Sequence, residues 1–393
     1  MDWKTTLGFT DRLRTIQSLT SAYQQASSSA AFAEAQTQAR KLENEAYEQA
    51  TSKQEYDQLC QKAVDAAEVT VSEPSEGELD DDADASNQDT GEAIGQYRPC
   101  FRHFDGLHST IYKSKSKSGA LVALKITIPH LLEAPHDAQR EAQLLRESAN
   151  EHIIPLLETL KLDGGRFVLV FPFKRHDFET LLRRGTLTAA QTKSILGDMF
   201  SAIASVHELG IIHRDIKPSN ILLDSPSGPA YLADFGIAWR EGSIEAEPAG
   251  KKITDVGTTC YRAPEVLFGF KGYGAALDLW AAGCVVAEAV AVGHKQLFDA
   301  GPLGSDLSLI HSIFTTLGTP DEQMWPETER LPDWGKIEFY KYPAKDWDEI
   351  LQGSSSNARD LVNKLVQYES GQRLSAAEAL RHPYFSSSKT CSS

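Results

Sequence analysis

Cysteine is scarce and badly spaced for structural use. The 393-residue chain has five, Cys60, Cys100, Cys260, Cys284 and Cys391, with no CxxC and no histidine at metal-ligand spacing. That argues against a disulfide framework and against a zinc site, and it fits a reducing compartment, nucleus or cytoplasm. The opening MDWKTTLGFTDR lacks the basic-then-apolar pattern of a secretory signal. Long apolar runs are missing too. The most apolar stretch, LDLWAAGCVVAEAVAVG, carries Asp278 and Glu288 and reads as a buried helix, so no membrane association is expected. Positive charge is in short supply: 39 basic against 55 acidic residues leave a net charge of −16, which argues against direct nucleic-acid binding.

The acid excess is local. From Glu68 to Glu92 there are ten acidic residues and no Lys or Arg. With almost no apolar side chains, SEPSEGELDDDADASNQD cannot bury enough surface to offset the entropy of ordering. Residues 68–96 are therefore expected to be a disordered, self-repelling linker. The length predicts two folded units around it, and the 41% hydrophobic fraction can fill a sizeable core.

Before the linker, apolar residues recur at three- and four-residue steps. Leu13, Ile16, Thr20 and Tyr23 form one stripe, Phe32, Ala35, Ala39, Leu42 and Ala46 a second, and Tyr56, Leu59, Ala63 and Ala67 a third. Ser52 with Glu55 reads as a capping box opening the third helix. A small all-α three-helix bundle over residues 1–67 is expected. After the linker, STIYKS, ALVALKITI and RFVLVF show strand patterns around the helical DAQREAQLLRES, and beyond Asp177 the chain turns mainly helical. The expected fold is α+β with a β-rich lobe followed by a helical lobe over residues 97–385. Residues 386–393 are expected to form a flexible tail.

Three strings carry the chemistry: HRDIKPSN (residues 213–220), ADFG ending at Gly236, and YRAPE (residues 261–265). In this order and spacing they resemble the catalytic loop, the metal-binding loop and the end of the activation segment of protein kinases. The resemblance implies the two-lobe protein kinase fold and the cofactors ATP and Mg²⁺. Phosphoryl transfer needs the nucleophile aimed and the phosphate charge neutralised. Asp215 would accept the substrate hydroxyl proton, Lys217 would reach the transferred phosphoryl group, and Asn220 and Asp234 are hard oxygen donors suited to Mg²⁺. Lysine in DIKPSN resembles serine/threonine kinases, so a protein Ser/Thr hydroxyl is the expected acceptor. Upstream, VALK and QRE match the kinase ion pair, with Lys125 on the phosphates and Glu141 holding Lys125. Adenine would lie between Ile111, Ala123 and Leu222. The hinge after Phe171 would offer the Pro172 carbonyl and the Lys174 N–H.

His213, Asp278 and Trp280 are expected to be structural, as are Glu265 and Arg373, which resemble the pair anchoring the activation segment. GCVVAE, LFGFKGYGAALDLW and IFTTLGTPDEQMWP look like cyclin-dependent kinases, and the compressed segment ending TDVGTTCYRAPE looks like the fungal monomeric CDK-activating kinases. ARKLENEAYEQATSKQEY in the first unit looks like a Mediator-type KIX domain, which implies docking of activation-domain peptides between its helices. An unspecialised bundle is the other reading of that stretch.

Three departures from the kinase pattern carry expectations of their own. Gln139 stands where an apolar cyclin anchor belongs, so activity without cyclin is expected. In the phosphate-covering loop FDGLHSTIYK only Gly106 of three glycines remains, with Phe104 and Ser109 in the other slots. A non-glycine residue forced into a left-handed conformation costs about 1–2 kcal/mol, so ATP is expected to bind more weakly. Thr254 lies near the usual activating phosphosite, where Arg214 and Arg140 could pair a phosphate. The segment is one residue short, however, and Ile253 can be aligned there instead. A segment held without phosphate is the alternative. Arg262 is compatible with recognition next to proline, while Gly257 alters the neighbouring surface. The substrate would be a protein, with a cyclin-dependent kinase as one candidate, and the rival to catalysis is a pseudokinase scaffold.

Overall fold

The computed structural model describes residues 15, 19, 39, 41–43, 46–47, 50, 52–69, 91–106, 109–128, 132–301 and 304–386. Two compact units divide between Thr90 and Gly91.

In the first unit, helix α1 (Lys53–Val69) is the third expected helix, and its capping residue acts as expected: the Glu55 N–H donates to Ser52 Oγ at 3.2 Å. Tyr56 and Cys60 are buried with Ala46 and Ala50, and the Tyr56 hydroxyl donates to Glu43 at 2.8 Å. Most of the two preceding helices of the expected bundle lies outside the described residues. So do residues 70–90 of the linker and 387–393 of the tail.

The second unit begins earlier than the composition implies. Strand β1 (Glu92–Ile94) pairs antiparallel with β2 (Tyr97–Asp105), so the last residues assigned to the acidic linker are part of the sheet. Hydrophobicity explains the difference. Ile94 is 2% exposed and packs with Tyr97, Cys100, Tyr112, Val122, Leu124, Val168 and Val170, a burial worth about 1.5–3 kcal/mol for that one side chain.

Strands β3 (Thr110–Lys115), β4 (Leu121–Thr127), β5 (Glu158–Lys161) and β6 (Phe167–Pro172) complete a six-stranded antiparallel sheet in the order β1-β2-β3-β4-β6-β5. Its register places Ile111 beside Lys125 and Ala123 beside Phe171. Helix α2 (Ala138–Glu147) is opened by Asp137, whose side chain accepts the N–H groups of Gln139 and Arg140 at 2.8 Å each. Ala138 and Ala142 seat this helix against Phe167 and Leu169 of the sheet, which aims Glu141 at β4.

The larger lobe contains a short sheet, β7 (His176–Asp177), β8 (Ile221–Leu223) and β9 (Ala230–Leu232). Its helices are α3 (Phe178–Arg184), α4 (Ala189–Glu208), α5 (Ala276–Val290), α6 (Asp306–Leu317), α7 (Ser356–Leu365) and α8 (Ala376–Leu380), with shorter turns between them. Helix α5 is buried from Leu277 to Ala289. Gly283 lets α7 approach it: a Cβ there would sit 2.7 Å from Val366 Cγ2 and 2.8 Å from Leu365 Cβ. Among the described residues no helix is long and apolar enough to cross a membrane.

Candidate active site

The loop from His213 to Asn220 joins α4 to β8, and it is fixed from beneath by Asp278 in the first turn of α5. Asp278 is fully buried. Its Oδ2 accepts the His213 N–H and faces His207 Nε2, and its Oδ1 accepts the Arg214 N–H, all at 2.8 Å. Burial alone would raise this carboxyl, but hydrogen bonding and charge from His207 and His213 outweigh it and hold the group below the ordinary carboxylate range. These bonds also hold Arg214 at φ +71°, a left-handed conformation that brings Cβ too close to the backbone and is costly for any residue but glycine. His213 is buried, lies within 3.0 Å of the Ala233 carbonyl through Nε2 and packs edge-on to Phe235. Burial lowers its affinity for a proton, so it is a packing group.

Asp215 is held from three sides. Thr258 donates both its N–H, at 3.0 Å, and its hydroxyl, at 2.9 Å, to Oδ1. Lys217 Nζ lies 2.9 Å from Oδ2 and 2.9 Å from Thr258 Oγ1. Asn220 Nδ2 donates to the Asp215 carbonyl at 2.8 Å and to Oδ2 at 3.1 Å. The Asn220 amide is thereby oriented, with its oxygen as the remaining hard donor. Thr258 was not among the residues singled out from sequence. It sits 43 positions from Asp215, and the only local hint is its place three residues before YRAPE.

Across the cleft, Lys125 Nζ lies 2.8 and 2.9 Å from the two oxygens of Glu141 and 2.8 Å from Asp234 Oδ1. Burial would lower the Lys125 pKa, but Asp234 and Glu141 more than reverse it and keep the ammonium charged. Burial likewise pushes Asp234 up, and Lys125 and Lys217 overcome that and hold it far below the usual range. The Glu141 carboxyl is raised by its burial despite Lys125. Asp234 takes φ +64°, and its side chain is half exposed toward the cleft while the following Phe235 is fully buried. Gly236 fits because an added Cβ would lie 3.2 Å from Asp234 Oδ1 and 3.6 Å from Lys125 Nζ.

Ile111, Ala123 and Leu222 are half-buried on β3, β4 and β8. The hinge is tied to β4 by the Phe173 N–H, which donates to the Leu121 carbonyl at 3.1 Å. The Lys174 side chain is drawn away to Asp224, at 2.7 Å, and over the Tyr231 ring, so only its main chain is left for a nucleotide. The phosphate-covering loop corrects one expectation. Phe104 does not have a positive φ. Phe104 stays in β2 opposite Ile111, and the turn is closed by the Gly106 N–H donating to the Ser109 carbonyl at 2.8 Å. The missing glycine therefore does not store left-handed strain at Phe104.

In the activation segment both arginines named for a Thr254 phosphate have other partners. Arg214 and Arg140 do not converge on Thr254: Arg214 Nη1 pairs with Glu247 Oε1 at 3.1 Å, and Arg140 Nη1 donates to the Glu245 carbonyl at 3.0 Å. Thr254 instead borders an open polar hollow of about 490 Å³ shared with Asp255, Arg262, Asp306 and Asp333. Arg262 bridges Asp306 at 3.1 Å and Asp255 at 2.5 Å, and its Nε donates to the Gly257 carbonyl at 2.9 Å. Gly257 has φ +79°, and a Cβ there would lie 3.0 Å from the Arg214 carbonyl, so this crossing of segment and catalytic loop needs glycine. Glu265 and Arg373 form a buried two-pronged pair at 2.7 Å per bond, and the Tyr261 hydroxyl donates to the buried Glu288 at 2.6 Å.

A two-lobed fold with this lysine, aspartate and asparagine set around one cleft defines the class. Residues 105–385 match the protein kinase domain and residues 1–76 match the KIX domain. The chain is 37% identical over 297 residues to cyclin-dependent kinase 20 of Danio rerio, covering 74% of this chain and 84% of that one. It is 36% identical over 299 residues to cyclin-dependent kinase 20 of Homo sapiens, covering 74% and 83%. Serine/threonine-protein kinase csk1 of Schizosaccharomyces pombe is 36% identical over 285 residues, covering 70% of this chain and 92% of that one. The chain belongs to the protein kinase family, in its serine/threonine, cyclin-dependent-kinase branch.

Proposed function

We propose that this protein transfers the γ-phosphoryl group of ATP to Ser or Thr hydroxyls of protein substrates, acts without a cyclin, and includes the activation segment of a cyclin-dependent kinase among its substrates. The observation that carries the reading is the assembled cleft: Lys125 is already on Glu141, and Asp215 is already oriented by Thr258, Lys217 and Asn220.

The residues fit Mg²⁺ and ATP. Asp234 is a carboxylate kept ionised and half exposed to the cleft, and Asn220 has its amide nitrogen occupied and its oxygen left over. These two would hold the metal, and Lys125 would hold the phosphates. Mg²⁺, when bound, neutralises phosphate charge that would otherwise repel the nucleophile. Asp215 aligns the substrate hydroxyl and takes its proton as the oxygen attacks the γ-phosphorus. The leaving group is ADP. Lys217, 2.9 Å from Asp215, places a positive charge where negative charge accumulates on the transferred group.

Cyclin independence draws support from Gln139, which is exposed on α2 while the neighbouring Arg140 and Glu141 are anchored internally. The KIX-like first unit would bind short amphipathic activation segments. A reducing compartment, the nucleus or the cytoplasm, is part of this proposal, because Cys60, Cys100, Cys260 and Cys284 are free thiols that would stay reduced there.

The test is a phosphotransfer assay on the full chain with MgATP, with no cyclin added and an unphosphorylated cyclin-dependent kinase as substrate, beside Asp215→Asn and Lys125→Met. Signal from wild type and its loss in both variants is expected. Equal background from all three sinks catalysis in favour of a scaffold, and signal only after cyclin addition sinks the cyclin-free part.

A further inference from the structure

Between Trp239 and Gly257 the chain has no regular secondary structure, yet the four-residue stretch from Ile244 to Glu247 grips two separate parts of the catalytic apparatus. Glu247 places Oε1 3.1 Å and Oε2 3.4 Å from Arg214 Nη1, the guanidinium next to Asp215 in sequence and fully buried. The same Oε1 accepts the Ile253 N–H at 3.4 Å, and the Glu247 carbonyl accepts the Trp239 indole N–H at 2.9 Å. Tyr273 closes the far side, its hydroxyl donating to the Ile253 carbonyl at 2.6 Å. Toward α2, the Glu245 and Ile244 carbonyls accept from Arg140, and the Ile244 N–H donates to Gln143 Oε1 at 3.2 Å.

Charge makes the arrangement informative. Arg140, Arg214 and Lys252 lie within electrostatic reach of Glu247, and all three are buried. Arg214 Nε and Nη2 and Arg140 Nε have no partner among the described residues. A buried cationic cluster of this kind requires an anion. Glu247 is the carboxylate seated in it, while Thr254 lies at the polar hollow beside Asp255 and Arg262.

We infer that Glu247 is a positioning residue, a carboxylate built into the chain that supplies the negative charge holding Arg214 and the activation segment in working order, so that activity does not wait for a phosphate on Thr254. This rests on the phosphotransferase reading above. A carboxylate brings one charge and two acceptor oxygens where a phosphate brings nearly two charges and three, which fits the guanidinium donors left open. Glu247 acts through Arg214 and the catalytic loop, so its loss should fall on turnover rather than on nucleotide binding.

The experiment uses the full chain treated with a broad-specificity phosphatase, mapped by mass spectrometry, and assayed with MgATP and a degenerate Ser/Thr peptide library. Dephosphorylated wild type should keep its rate. Glu247→Gln should lose about tenfold or more in kcat with the KM for ATP changed by less than about threefold, and Glu247→Asp should recover part of the loss. Hydrogen exchange at amides 251–258 should rise in Glu247→Gln, a readout that needs no activity. Should Glu247→Gln lose protection across α4 and α5 as well, it is misfolded and Glu247→Asp carries the comparison. Wild-type turnover and exchange in Glu247→Gln would overturn the inference, as would a wild type silenced by phosphatase and restored by phosphate on Thr254. A wild type with no phosphotransfer would instead sink the functional reading, and the exchange data would still decide the role of Glu247.

Discussion

Replacing Asp278 with asparagine tests how the fold reaches the chemistry. The substitution keeps the shape and exchanges one acceptor oxygen for an NH₂ group. Each oxygen of Asp278 now receives a backbone N–H, from Arg214 on Oδ1 and from His213 on Oδ2. Whichever way the asparagine turns, one of those donors faces another donor. Losing a hydrogen bond to a charged acceptor costs about 1.5–3 kcal/mol, and stranding the buried N–H adds about 1–3 kcal/mol, so a loss of about 3–5 kcal/mol is expected. The same bonds hold Arg214 in its left-handed conformation, and Asp215 is the next residue. A displacement of about 1 Å at a reacting group is worth about a hundredfold in rate, so kcat should fall by about that factor. Lys125 and the adenine-side residues lie on other elements, so the KM for ATP should move by less than about threefold. Urea unfolding gives the first number, and initial rates at a temperature where circular dichroism shows the variant folded give the second. Asp278→Asn that unfolds within about 1 kcal/mol of wild type and turns over within about threefold of it would refute the reasoning.

Two further outcomes follow from buried charge. Arg373→Met leaves Glu265 as an unpaired buried carboxylate and should cost about 3–5 kcal/mol by denaturant unfolding, while Glu265→Leu combined with Arg373→Met should cost clearly less than the single change. A single-variant cost below about 1 kcal/mol would show that the pair does not anchor the segment. Burial pushes the Glu288 carboxyl up from 4.5 to about 7. The folded form therefore prefers the protonated group: its contribution is whole below pH 4.5, where both forms carry the proton, and is lost as pH rises through 7. The size is about 3 kcal/mol, and Glu288→Gln should flatten that part of the stability-against-pH curve. An unchanged slope in Glu288→Gln would assign the titration elsewhere.

The sequence made the cleft legible where chemistry constrains residue type and spacing. Lys125, Glu141, Asp215, Lys217, Asn220 and Asp234 stand at short, ordered intervals that leave few alternatives, and the structure brings them to one cleft. What stayed hidden depends on how loops return. Thr258 reaches Asp215 across 43 positions, and Glu247 reaches Arg214 across 33, with no periodicity to mark either. The strain assigned to Phe104 followed from a glycine pattern, but a strand that simply continues toward the loop does not need that glycine. The first strand was masked by charge: the acids before Gly95 weighted the composition toward disorder, while a single apolar residue, Ile94, was enough to seat the strand on a core already in place.

Helix α5 holds the catalytic loop through Asp278, the activation segment through Glu288 and Tyr261, and Arg373 through the Ala276 carbonyl. With its three attachments on one rigid rod, the enzyme has little room for a state that is folded but idle. Heat inactivation should coincide with melting rather than precede it. The same coupling narrows adaptation: a change in α5 that makes the protein more robust is read out at once in turnover, so variation that tunes rate without touching stability is left to the loops that cross the cleft.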